Sequence, residues 1–248
     1  MKKRVLLRVA YDGTNYHGWQ VQPGAVTIEQ VLNEKLTELL GEPIEVIGAS
    51  RTDSGVHAMG NVAVFDTEHR MLADKICFAL NQRLPEDIRI QSSMEVDTDW
   101  HPRQLHCSQT YEYKILNRKM EVPSLRLYTH FCHFDLDLDQ MRQAAKLLTG
   151  EHDYKSFCNV RTQELHTVRT VYSIDIEKDS NDVITIRVRG NGFLYNMVRI
   201  LAGTLMAVGM GQRKPEEMPD ILAACDRAAA GPTAPAKGLM LVGMEYQD

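Results

Sequence analysis

The sequence predicts an α+β fold of two similar halves with mostly antiparallel sheets. Three observations carry this. Alternating segments and helix-periodic segments are interleaved in a similar order in each half of the 248 residues. The connections around 48–61 and 178–183 hold no helix, so their strands should pair as antiparallel neighbours and not through βαβ crossovers. No stretch of flexible composition separates the halves, so they should share an interface or a continuous sheet. The boundary is expected near His101-Pro102-Arg103-Gln104, giving a first half of 1–103 and a second of 104–248. The repetition is architectural; no sequence repeat is visible.

Residues 4–10 alternate as a strand, and Asp12-Gly13-Thr14-Asn15 closes it with turn chemistry. Thr27 is an N-cap, with Gln30 three residues on as the reciprocal partner of a capping box. Ile28, Val31, Leu32, Leu36, Leu39 and Leu40 recur at helical spacing, and Gly41 stops that helix. Strands follow at Ile44–Ile47 and Val62–Phe65. A helix then turns Leu72, Ile76, Ala79, Leu80 and Leu84 inward and ends at Pro85. Ile88-Arg89-Ile90 begins another strand.

The second half opens on Gln109–Leu116, where Tyr111, Tyr113 and Ile115 alternate. Asp137 caps a helix bearing Leu138, Met141, Ala144, Ala145 and Leu148, with Gly150 after it. Thr170–Glu177 and Val183–Arg189 form a hairpin around Asp179-Ser180-Asn181-Asp182. Phe193–Val208 is a helix apolar nearly all round, hence buried. Leu239–Tyr246 is a last strand.

A chain that is 44% hydrophobic and 25% charged has the composition of a folded soluble protein with a core. No apolar run is long enough to span a bilayer, and Arg8 and Asp12 interrupt the apolar stretch near the start, which excludes a signal peptide. The five cysteines are scattered and form no Cys-x-x-Cys pair, which fits a reducing, cytoplasmic setting. His101-x4-His106-Cys107 lacks metal-finger spacing, so no metal is expected. A net charge of -5 gives no global pull toward nucleic acid, although a basic face can coexist with acidic surface such as Asp135, Asp137 and Asp139.

Chemistry concentrates in Arg51-Thr52-Asp53-Ser54-Gly55-Val56-His57-Ala58. It puts a carboxylate two residues after an arginine and two before a glycine, on a strand-to-strand connection. Loops held by a sheet are where catalytic groups tend to sit; the plainer reading is a polar turn. Arg199 is the second candidate. It interrupts a greasy helix, and a buried guanidinium needs an anionic partner unless it snorkels to solvent at the helix edge. Tyr111 and Tyr113 share one strand face, as core aromatics or, in one case, as a platform on which a base stacks. Residues 11–20, rich in amides and aromatics, are either an RNA contact or a surface loop anchored by Trp19. Gly231–Gly238 imitates a phosphate-binding loop but has Ala236 and Gly238 at the deciding positions, so no nucleotide cofactor is expected.

The chain resembles the tRNA pseudouridine synthases of the bacterial A type, nearly end to end. The resemblance rests on motifs in family order: Tyr11-Asp12-Gly13-Thr14-x-Tyr16-x-Gly18-Trp19-Gln20, Arg51-Thr52-Asp53-x-Gly55-Val56-His57-Ala58, Ala79-Leu80-Asn81-x-x-Leu84-Pro85, His101-Pro102-Arg103 and Tyr111-x-Tyr113-x-Ile115. Gly150-x-His152-Asp153-Tyr154-x-Ser156-Phe157, Asn191-x-Phe193-Leu194-x-x-Met197-Val198-Arg199 and Thr233-Ala234-Pro235-Ala236-x-Gly238-Leu239 complete the series. Any one is weak; the ordered set is specific. One departure is Ser50, where the family usually has glycine.

The resemblance implies a pseudouridine synthase fold, with the sheets of two α+β halves meeting at a catalytic cleft. It implies isomerisation of uridine to pseudouridine in the anticodon stem-loop of tRNA, without cofactor, by a homodimer. It assigns the catalytic aspartate to Asp53, the base-stacking tyrosine to Tyr111, and the arginine that pairs with the aspartate to Arg199. Arg51 matches the arginine that helps turn the target nucleotide out of its stack. A glycoside or nucleoside hydrolase would need two carboxylates where this loop carries one. A non-catalytic RNA-binding protein would not need Asp53, Tyr111 and Arg199 together.

Overall fold

The computed structural model describes residues 2–162 and 164–246. Two compact units emerge: residues up to Cys107 together with those from Leu241 on, and Ser108–Met240.

The first unit begins with β1 (Lys3–Tyr11), α1 (Ile28–Leu40), β2 (Ile47–Gly48), β3 (His57–Thr67), α2 (Ala73–Asn81) and β4 (Ile88–Val96). β1 lies between β4 and β3, antiparallel to both. Thr27 caps α1 as expected, its side chain accepting from the Gln30 amide. The reciprocal half of the capping box does not form, because Gln30 donates its own side-chain amide to Glu34 at 2.8 Å. Gly41 ends the helix with φ 70°, its N–H returning to the Thr37 carbonyl. Ile28, Leu32, Leu36 and Leu40 form the buried stripe, each worth roughly 1.5–3 kcal/mol of transfer.

Two expectations need correction here. Only Ile47 and Gly48 of the upstream strand pair, with Val64 and Ala63. Helix side chains satisfy the preceding backbone instead: Thr37 Oγ1 accepts from Ile44 N–H at 3.0 Å, and Asn33 Oδ1 from Val46 N–H at 2.8 Å. In α2, Leu72 is exposed at the N-cap rather than turned inward, while Ile76, Cys77 and Leu80 carry the buried face. The helix stops at Asn81, before Pro85, because the Asn81 amide bridges to both the N–H and the carbonyl of Ile90.

The second unit contains β5 (Cys107–Asn117) from Ser108 on, β6 (His130–Cys132), α3 (Leu138–Leu147), β7 (Gly150–Asp153), β8 (Val168–Lys178), β9 (Val183–Gly190), α4 (Met197–Gly209) and α5 (Met218–Ala224). Its strands run in the order β5-β9-β8-β7, all antiparallel, with β6 added to β5 in parallel. β6 and β7 are too short to show a period and were not expected from the sequence. Helix α3 packs against α4 and β8. The buried helix expected from Phe193 begins at Met197, because Asn196 adopts the left-handed φ of 62° and breaks the turn before it. Every residue of α4 is buried except Arg199.

The last strand, β10 (Leu239–Tyr246), follows the sequence expectation. Its neighbour within the first unit is β3. There a Cβ on Gly60 would stand 3.1 Å from the Val242 carbonyl.

Candidate active site

Residues 49–56 join β2 to β3 and carry Arg51 and Asp53. A turn closes where Val56 N–H reaches the Asp53 carbonyl at 3.1 Å, and Gly55 supplies the φ of 77°. The outer side of this turn is docked on residues 11–20. Trp19 N–H donates to the Thr52 carbonyl at 3.0 Å. Gly55 N–H and Ser54 Oγ both donate to the Tyr16 carbonyl, at 3.2 and 3.3 Å. The approach leaves no room for a side chain: a Cβ on Gly13 would sit 2.0 Å from the Val56 carbonyl oxygen.

Beneath the loop lies a buried polar cluster. Tyr11 and Thr52 hydroxyls share a 2.7 Å hydrogen bond. Asn61 donates to the Ser50 carbonyl at 3.0 Å and accepts from Ser50 N–H at 3.3 Å. Ser50 is not in a left-handed conformation, so the glycine usual at this place is not required by backbone geometry. His57 Nδ1 accepts from Gly13 N–H at 3.1 Å, which puts the neutral ring's proton on Nε2. Asp12 Oδ1 stands 3.1 Å from the same nitrogen. Arg103 reinforces the base of the loop, its Nε donating to the Gly48 carbonyl at 2.7 Å. Burial, followed by the field of Arg51, lowers the Arg103 pKa. On this frame Asp53 is half-buried and Arg51 exposed.

The second unit holds its candidates differently. Tyr111 is 6% exposed and meets Phe193 edge-on, ring centroids 5.4 Å apart. Tyr113 is fully buried, donates to the Pro235 carbonyl at 2.9 Å, and lies against Gly238. Burial pushes its phenol pKa well above the ordinary range, against a smaller opposing effect of the Arg199 charge. Arg199 is braced on two sides. Its Nε donates to the Ala234 carbonyl at 2.7 Å and its Nη1 to Asn196 Oδ1 at 3.0 Å. Ala234 N–H returns to the Arg199 carbonyl at 3.1 Å.

The segment that imitates a phosphate-binding loop is therefore a strap. Gly231 N–H donates to Thr204 Oγ1 at 2.9 Å, and a Cβ on Gly203 would stand 1.9 Å from the Pro232 carbonyl oxygen. The strap crosses α4 where the helix surface is small, then covers Tyr113.

A profile described as tRNA pseudouridine synthase matches residues 8–103 and 144–247. The chain belongs to the tRNA pseudouridine synthase family. Proteins named tRNA pseudouridine synthase A from Brevibacillus brevis and Thermoanaerobacter sp. are 47% and 45% identical to it over 244 residues, covering 98% of this chain and 100% of theirs. One from Clostridium tetani named tRNA pseudouridine synthase A 2 is 45% identical over 248 residues, covering 99% of this chain and all of its own. Like the family's other members, the protein is an isomerase. Among the described residues, no helix is long and apolar enough to cross a membrane.

For this synthase the structure also corrects and extends the sequence reading. Val188 pairs with Tyr111 and is buried, so Arg187 and Arg189, which flank it, point to the opposite face of the sheet. There Arg187 grips Glu112 Oε1 through Nε and Nη2, while Arg189 donates to Ser108 Oγ and lies over Tyr172. Residues 11–20 are not an independent surface loop; they are the bed of the Asp53 turn. Gly13 and Gly18, which allow the close approach, were the sequence signal for it. Arg103 and Ala234 stand within the motifs His101-Pro102-Arg103 and Thr233-Ala234-Pro235, but what they brace, like the role of Asn196, needed the fold.

Proposed function

We propose that this synthase isomerises uridine to pseudouridine in the anticodon stem-loop of tRNA, at positions 38, 39 and 40, with Asp53 as the nucleophile. The observation that carries the reading is the Asp53 turn itself, fixed from outside by Tyr16 and Trp19 and from beneath by Tyr11, Asn61 and His57. A nucleophile must be held within a fraction of an ångström of its target for positioning to lower the barrier.

The reaction breaks a C–N glycosidic bond, turns the freed uracil and forms a C–C bond at the same sugar carbon. Taking the uridine out of its stack costs a few kcal/mol. Arg51, exposed beside the turn, helps the nucleotide out by holding a phosphate or filling the vacated space. Tyr111, stiffened by Phe193, offers the extruded base a face worth about 1–3 kcal/mol. Asp53 attacks as the anion, at C1′ of the ribose or C6 of the ring. Arg199 pairs with it and keeps it ionised. In this reading the first half supplies the nucleophile, the second supplies the stacking ring and the guanidinium, and the catalytic cleft lies between the halves. The partner is tRNA, the active form a homodimer, the compartment the cytoplasm. The residues supply a nucleophile, a stacking face and counter-charges, so the chemistry asks for no cofactor, metal or nucleotide.

The test is Asp53→Asn. Tritium release from [5-³H]uridine-labelled tRNA should vanish while tRNA affinity stays within a few-fold, and mapping of the product made by the native enzyme should place pseudouridine in the anticodon stem-loop. Normal turnover by the variant rules out the nucleophile. Release of free uracil would move the reaction to hydrolysis.

A further inference from the structure

The Asp53 turn leans on Tyr16, and Tyr16 leans on Asp87. The Tyr16 carbonyl is the shared acceptor for Gly55 N–H and Ser54 Oγ, the two residues that follow Asp53. Tyr16 is itself held at three points. Its N–H donates to the Gly13 carbonyl at 3.0 Å, its ring is buried, and its hydroxyl donates to Asp87 Oδ1 at 2.6 Å. Burial, then the hydrogen bond to Asp87, raises the phenol pKa far above its ordinary range, so the hydroxyl remains a donor at any working pH.

Asp87 grips the same turn a second time. Its main-chain carbonyl accepts from Asp12 N–H at 2.9 Å. The residue that follows, Ile88, is fully buried and pairs with Tyr11 in the sheet. Asp87 thus ties both ends of the 12–16 turn to β4. Among the described residues, the half-buried Asp87 carboxylate makes its hydrogen bond to the Tyr16 hydroxyl and to no other group. An ordinary surface turn would not need one, because water would serve the tyrosine hydroxyl equally well.

We infer that Asp87 is a positioning residue for Asp53, acting through the Tyr16 hydroxyl and the Tyr16 carbonyl without touching substrate. The inference rests on the reading of Asp53 as nucleophile. A small displacement of the Tyr16 carbonyl moves the turn that carries Asp53, and misplacement by about 1 Å can slow a reaction roughly 100-fold.

The experiment is a double-variant cycle on the full chain, read as the single-turnover rate of tritium release from enzyme-bound tRNA, with tRNA affinity and thermal midpoint measured in parallel. Asp87→Ala and Tyr16→Phe should each slow the bound-state rate by about 10- to 100-fold with affinity unchanged. The double variant should be no slower than the slower single one, since both remove the same link. Asp87→Asn, whose amide oxygen still accepts from the hydroxyl, should keep most of the rate. Tyr16→Phe removes one oxygen and keeps the ring's packing, so it stays measurable where Asp87→Ala unfolds. Full speed in Tyr16→Phe, or multiplied losses in the double variant, overturns the inference. Asp53→Asn run alongside separates the two failures. If it still turns over, the nucleophile assignment is wrong; if it is dead beside a full-speed Tyr16→Phe, only the role of Asp87 is lost.

Discussion

The two units hold their candidate residues by opposite means. In the first, Asp53 sits on an irregular segment, and its position is the sum of many backbone hydrogen bonds to a second irregular segment. In the second, Tyr111 sits on a strand and Arg199 on a helix, and a single strap of chain presses on both elements. A loop can place a carboxylate where no regular element can reach, but each supporting contact is individually weak. A strand or helix places its side chains through the core, so their positions should fail only when the unit does.

The largest expected effect on activity comes from breaking the closest approach in the first unit, with the closest approach in the second as its counterpart. Gly13→Ala puts a methyl into the Val56 carbonyl, and Gly203→Ala puts one into the Pro232 carbonyl. Each should destabilise by about 1–3 kcal/mol, although the second gains about 1 kcal/mol of helix propensity. Denaturant melts and tritium release together should set them apart. Gly13→Ala should lose activity far beyond its loss of stability, whereas Gly203→Ala should lose the two in proportion. The reverse pattern would mean that the strap, not the loop, limits catalysis.

Next in effect on the isomerisation rate is the tyrosine pair, although one of its variants costs the most stability. Tyr113 is buried under the strap, so Tyr113→Ala should act as a core truncation costing about 3–5 kcal/mol. Tyr111→Ala, measured on folded protein, should lose more of the isomerisation rate than Tyr113→Ala does. A more severe rate defect from Tyr113→Ala would exchange the two roles.

The smallest effect should appear at Asn196, whose φ of 62° and side chain serve Arg199 together. Asn196→Gly keeps the backbone and drops the brace; Asn196→Ala drops both, at about 1–2 kcal/mol for the left-handed conformation. Comparing the two by thermal melts isolates the backbone contribution. Equal stability of the two variants would show that the conformation itself carries no strain.

The comparison also explains what the sequence made legible. Helix α1, with its Thr27 cap, Gly41 stop and regular apolar stripe, could be read because period and capping agree. The hairpin of β8 and β9 was legible for the same reason. What escaped were places where side chains replace regular pairing. Thr37 and Asn33 take the backbone donors that a strand at Ile44–Ile47 would have used, and Asn196 halts a helix that hydrophobicity alone extends to Phe193. Asp53, Tyr111 and Arg199 were found through motifs; Tyr16, Trp19, Arg103 and Ala234 stand in the same motifs, but their holding contacts were not legible, because a bracing contact joins positions with no pattern in common.

The pairing of β10 with β3 has a consequence for the order of synthesis. One edge of β3 is covered by β1 from the start, and near Val64 the other edge is covered by β2. On that second edge, the stretch around Gly60 lies against Val242 and Gly243 of β10. While the ribosome makes everything between, the nascent first unit keeps part of a strand edge open, a template for pairing with other chains. The unit that carries Asp53 is thus begun first and completed last.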